Sequence, residues 1–130
     1  MPSTVTAEIA PGELIDKITI LAIKMERIGD AEKLKNVGAE WQVLTASRDA
    51  NLPASAQLDA LTASLKTINE KLWVIEDDIR DCERAQDFGE TFVQLARAVY
   101  HTNDQRAAVK RQINELLGST LMEEKSYAAY

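Results

Sequence analysis

An all-α fold is predicted by three observations. Leu58, Leu61, Leu65, Ile68, Leu72, Ile75, Ile79 and Cys82 recur at spacings of 3 and 4 without exception, which lays one apolar seam along a helix and demands partner helices to cover it. Five Gly and three Pro cluster at breaks, which suits long helices better than a turn-rich sheet protein. Two further segments, before and after the seam, carry apolar stripes of helical period. The expected architecture is an up-down-up antiparallel bundle of three long helices over about 12–50, 55–86 and 90–117, the first kinked or split near Gly29. Residues 1–130 form one domain, with 1–11 and 119–130 as terminal extensions.

Residues 1–10 have no helical period and are expected to be extended or poorly ordered. Pro11 suits the first helical position, where the missing N–H is no loss, and Glu13 and Asp16 favour the positive end of the helix dipole. Leu14, Ile18, Leu21, Met25 and Ile28 form the core-facing stripe of the first helix. At Gly29-Asp30 two outcomes compete: Gly ends a helix and Asp caps the next, yet the stripe resumes at Ala31, Leu34, Val37, Trp41 and Leu44. One long, kinked helix is the preferred expectation, ended by Asn51-Leu52-Pro53. Ser55 caps the heptad helix, roughly 45 Å long, and Asp87-Phe88-Gly89 supplies the next turn. The last helix has apolar ends around a polar middle, Tyr100 to Arg106, that either breaks it or inserts a polar layer. It stops at Gly118-Ser119.

A net charge of -6 and a pI near 4.8 argue against a nucleic-acid partner, which would need a basic face to replace phosphate counterions. The single Cys82 forms no internal bridge and reads as a small buried apolar residue. The amino terminus lacks the pattern of a signal peptide, and no apolar stretch approaches the ~20 residues of a membrane span. The expectation is a soluble, cytoplasmic protein with no membrane insertion.

Reflecting the last helix through the turn near Phe88 sets its polar middle against Glu70 to Val74. A polar belt of Asn69, Trp73, Glu76, Arg80, Asn103, Arg106 and Lys110 is the candidate binding site, with Tyr127 of the aromatic tail as a further contact. A guanidinium on a core face must find acceptors, and Glu70, Glu76 or Asp77 are the expected partners of Arg106. The plain alternative is structural: Glu76 and Arg80 make an ordinary helix ion pair worth ~0.2–0.5 kcal/mol, and polar core groups set helix register. Asp77-Asp78-Ile79-Arg80-Asp81 has the D-D-x-x-D spacing that holds magnesium in isoprenoid enzymes, but Asp77 and Asp81 fall on the outer face. One His and one Cys do not make a zinc site, and His101 has neither nucleophile nor Gly-rich loop beside it. No catalytic residue, metal or cofactor is assigned.

Pro11-Gly12-Glu13-Leu14-Ile15-Asp16-Lys17-Ile18-Thr19-Ile20-Leu21, Ile68 to Trp73 with Ile75-Glu76-Asp77, Arg106 to Asn114, and Glu123-Glu124-Lys125-Ser126-Tyr127 resemble an uncharacterised family of small bacterial helical proteins. The resemblance implies a setting near surface-polysaccharide or lipopolysaccharide genes. It carries over no activity or catalytic residue. The functional expectation is a non-enzymatic interaction or accessory protein, with a protein partner or self-association as a homodimer. The alternative is a small-molecule binder or isomerase-like bundle enzyme acting on an anionic metabolite at the belt, in the manner of chorismate mutase.

Overall fold

The computed structural model describes residues 3–130; the part of the amino-terminal expectation that falls on Met1 and Pro2 lies outside the described residues. Four helices follow in order, α1 Pro11–Arg27, α2 Ala31–Asn51, α3 Ala56–Arg84 and α4 Glu90–Leu116, so all-α holds but the three-helix bundle does not. The overturning feature is Ile28, whose extended backbone (φ -81, ψ 131) ends α1. Asp30 then caps α2 by accepting a hydrogen bond from the Lys33 N–H at 3.0 Å. Gly29 itself has no left-handed φ, and a Cβ there would meet nothing. The cap and the extended residue before it separate the helices, and the resumed apolar stripe belongs to a second helix packed on the first.

The other ends follow local chemistry. Pro11 occupies the start of α1, and Leu52 is extended ahead of Pro53, as the residue before a proline prefers. The Ser55 hydroxyl accepts from the Leu58 N–H at 3.0 Å. α3 ends with Gln86 at φ 55, where Asp87 N–H bonds the Cys82 carbonyl and Gln86 N–H bonds that of Glu83. α4 ends the same way at Gly118, φ 65, with Ser119 N–H on the Asn114 carbonyl; in both, a left-handed residue turns the chain so that orphan carbonyls are satisfied. α4 is continuous through Tyr100 to Arg106, which makes that stretch a polar layer rather than a break.

α1 is the central element. It packs against α2, α3 and α4, whereas α2 packs on α1 alone and α3 pairs with α4 as a hairpin. Gly12 sits on α4 beside Lys110 and Asn114, Asp16 touches both α4 and α3, and Glu26 meets Lys66 of α3. α1 therefore crosses the hairpin obliquely from α4 to α3. The crossing requires close approach at Gly12, where a Cβ would overlap the Lys110 carbonyl and lie 2.8 Å from Asn114 Oδ1. The apolar core gathers at the base of the hairpin, where Ile15, Leu58, Leu65 and Ile113 pack with Leu52, Leu61, Val109 and Leu117. Farther out the cover is uneven: Ile75 and Cys82 of the seam stay buried, Leu72 and Ile79 of the seam and Phe92, Leu95 and Val99 of α4 are half-buried, and Val74, Phe88 and Val93 beside them are exposed.

Candidate functional site

The centre of the polar layer is Asp16, 1% exposed on the inner face of α1. Arg106 of α4 grips it with two hydrogen bonds, Nε to Oδ1 at 2.9 Å and Nη2 to Oδ2. From α3, Asn69 Nδ2 donates to the same Oδ1 at 2.9 Å and to the Thr19 hydroxyl at 2.9 Å, and that hydroxyl donates to the Asp16 carbonyl at 2.7 Å. The Asp16 hydrogen bond raises the Arg106 pKa further, against an opposing effect of burial. The charge is locked in by the forked hydrogen bonds and the attraction of the carboxylate, which outweigh the cost of burial. The expected acceptors Glu70, Glu76 and Asp77 are thus replaced by a carboxylate from α1.

One turn farther along α4, buried Lys110 bridges Glu13 Oε2 at 2.8 Å and Glu123 Oε2 at 2.9 Å. Burial depresses its pKa, but the hydrogen bonds from the two carboxylates outweigh that and the net shift is upward. The Lys110 hydrogen bond in turn lowers the pKa of Glu123. The tail after Ser119 runs back along α4: Glu124 reaches Arg111, and the Tyr130 hydroxyl donates to Asp104 while its ring packs on Tyr100 and His101.

Five of the eight candidate residues converge. Asn69, Trp73, Glu76, Arg80 and Arg106 line one open groove of about 460 Å³, completed by Ile20 and Ile23 of α1 and by Leu72 and Asp77 of α3. Glu76 and Arg80 form an exposed ion pair at its rim. The other three lie elsewhere. Asn103 is half-buried and makes no side-chain hydrogen bond among the described residues, Lys110 lines a separate depression under the tail, and Tyr127 is 82% exposed beside Tyr100 and Tyr130.

Missed from the sequence were the α1 members, Gly12, Asp16, Thr19, Ile20 and Ile23. A signal existed, since Gly12, Asp16, Thr19 and Ile23 repeat at 4, 3 and 4 beside the apolar stripe and so share a helix face. Such a second stripe marks a helix buried on two sides. Among the described residues no three His, Cys, Asp or Glu side chains are grouped to hold a metal ion, and no helix is long and apolar enough to cross a membrane.

No curated protein and no solved structure matches the chain. The profile of a family of unknown function, DUF6165, matches residues 5–130, and the chain belongs to that family.

Proposed function

We propose that the chain is a non-enzymatic helical interaction protein that pairs with a second copy of itself through the outer half of the α3–α4 hairpin. The observation that carries this reading is the incompletely covered apolar surface of that outer half, where Leu72, Ile79, Phe92, Leu95 and Val99 are half-buried and Val74, Phe88 and Val93 are exposed. A specific interface removes about 800 Å² from each partner, and such a surface is what a second copy would cover. A hairpin with a half-buried seam becomes a four-helix bundle when a twofold axis brings its copy against it. The ion pairs that occupy Asp16, Arg106 and Lys110 support a structural role for these charges. The reading includes a bacterial cytoplasmic setting, as an accessory to surface-polysaccharide synthesis.

Light scattering after size exclusion tests it. The wild type should run as a dimer whose mass falls on dilution, and Val74→Glu with Val93→Glu, at positions each 43% exposed, should be monomeric with unchanged helical circular dichroism. A wild type that stays monomeric at every concentration sinks the proposal. Truncation after Ser119, which strips the tail from α4, should weaken association if the tail takes part.

A second reading, a small-molecule binder, is favoured by the groove. Its volume falls within the roughly 300–1,000 Å³ of ligand sites, and its apolar walls converge on a few polar groups.

A further inference from the structure

The groove between α1 and α3 has a floor whose chemistry narrows what it would hold. Asn69 is 5% exposed, and its amide orientation is dictated by its neighbour. A carboxylate oxygen only accepts, so Nδ2 faces Asp16 and Oδ1 lies on the other side of the amide. That Oδ1 accepts no hydrogen bond among the described residues, and no unpartnered side-chain oxygen is sealed from solvent there. Since Asn69 opens onto the groove, its oxygen is an available acceptor at the floor.

Arg106 stands next to it, because Asn69 Nδ2 and Arg106 Nε both bind the same Asp16 oxygen at 2.9 Å. Its Nε and Nη2 are committed to Asp16, while Nη1 makes no hydrogen bond among the described residues and the side chain lines the groove. The side chains that carry this free donor and this free acceptor are therefore both anchored on one buried carboxylate and both line the groove. Ile20, Ile23, Leu72 and Trp73 wall the space with aliphatic and aromatic surface.

Charge balance selects the ligand class. Asp16 neutralises Arg106, Glu76 and Arg80 neutralise each other, and Asp77 leaves the rim negative. An anion would meet a paired guanidinium and an unpaired carboxylate, and a cation would meet the free Nη1 donors. We propose that the groove binds an uncharged, flat, largely apolar molecule through a carboxamide or lactam edge, whose N–H donates to Asn69 Oδ1 and whose carbonyl accepts from Arg106 Nη1. This rests on the second reading above, the small-molecule binder, and moves its ligand from an anion to a neutral amide.

Three probes that share one ring separate the possibilities: benzamide, benzoate and benzamidinium. Binding to the full chain is read by saturation-transfer NMR and by the Trp73 indole N–H resonance, identified by its loss in Trp73→Phe. A fragment of this size is expected to bind with Kd on the order of 1 mM, with benzamide at least about fivefold tighter than either ion because each ion leaves one floor group unpaired. Trp73→Leu should lose most of the binding, and Val43→Ala on the exposed face of α2 should lose none. Asp77→Asn, at the exposed rim of the groove, should strengthen benzoate more than benzamide, which reads the charge selection without disturbing the fold. Equal binding of all three, or benzoate as the tightest, overturns the amide class while the small-molecule reading survives. A folded wild type that binds none of them overturns both.

Discussion

At the scale of single residues, Asp16 decides the most. It is a carboxylate in the middle of a buried helix, and it is tolerated because a guanidinium fork and an amide saturate it. A buried ion pair is weak evidence for net stability, but breaking one leaves a charge without compensation. Arg106→Ala is therefore expected to destabilise the fold by about 3 kcal/mol, measured by urea denaturation. A loss of less than about 1 kcal/mol, the level of a surface pair, would mean that the layer is open to water. Gly12 makes the same layer possible by letting α1 approach Lys110 and by donating its N–H to Asn114 Oδ1 at 2.7 Å. Gly12→Ala should cost about 1–3 kcal/mol through overpacking against backbone that does not yield. Arg106 was visible in the sequence as a core-facing cation, but its partner was not. The two are 90 positions apart, and only the crossing of α1 over the hairpin joins them.

At the scale of elements, the split between α1 and α2 depends on a cap and one extended residue. Ile28 leaves the helix with its N–H still on the Lys24 carbonyl at 2.9 Å, and the Asp30 carboxylate accepts from Lys33. Asp30→Ala should destabilise by about 1 kcal/mol, as loss of a cap does. Gly29→Ala, with open space around it and an ordinary φ, should be neutral or stabilising by up to about 1 kcal/mol. Thermal melts of the two variants discriminate. If Gly29→Ala is the damaging change, glycine freedom and not capping ends α1. The sequence displayed both Gly29 and Asp30, and with them both outcomes, because the apolar period of 31–44 is equally satisfied by a continued helix and by a second helix lying on the first.

At the scale of the whole molecule, the tail is held by charge. Lys110 lowers the pKa of Glu123, so the pair's contribution is complete above the ordinary glutamate value of 4.5 and is lost as pH falls through the depressed folded value. The Lys110 pKa is raised, so its contribution is complete below its ordinary value of 10.5 and is lost only as pH rises through the raised value. The tail should therefore stay docked at neutral pH and detach in acid, at a pH below the ordinary glutamate value. Tail amide resonances followed through an acid titration check this, and Glu123→Gln should release the tail already at neutral pH. The outer hairpin bears the opposite problem. From Val74 to Val99 seven carboxylates accompany three arginines, so two copies of this hairpin repel. Added salt screens that repulsion and should strengthen self-association in light scattering; a dimer that dissociates in salt would place the contact elsewhere.

The sequence by itself determined the helical class, the heptad seam, and most of the punctuation at Pro11, Ser55, Pro53, Phe88 and Gly118, because periodicity and capping are local properties of neighbouring residues. Of the seven residues expected in one belt, Asn69, Trp73, Glu76, Arg80 and Arg106 line the groove while Asn103 and Lys110 lie elsewhere, since a short turn makes α3 and α4 antiparallel and fixes levels but not which face each side chain joins. Only the tertiary structure decided that four helices form, that α1 lies at the centre, and that its Asp16 takes Arg106 away from the carboxylates of α3. Those outcomes depend on the angle and level at which α1 crosses the hairpin. That placement is set by the sum of packing at Gly12, Ile15 and Ile113 together, and no single stretch of sequence contains it.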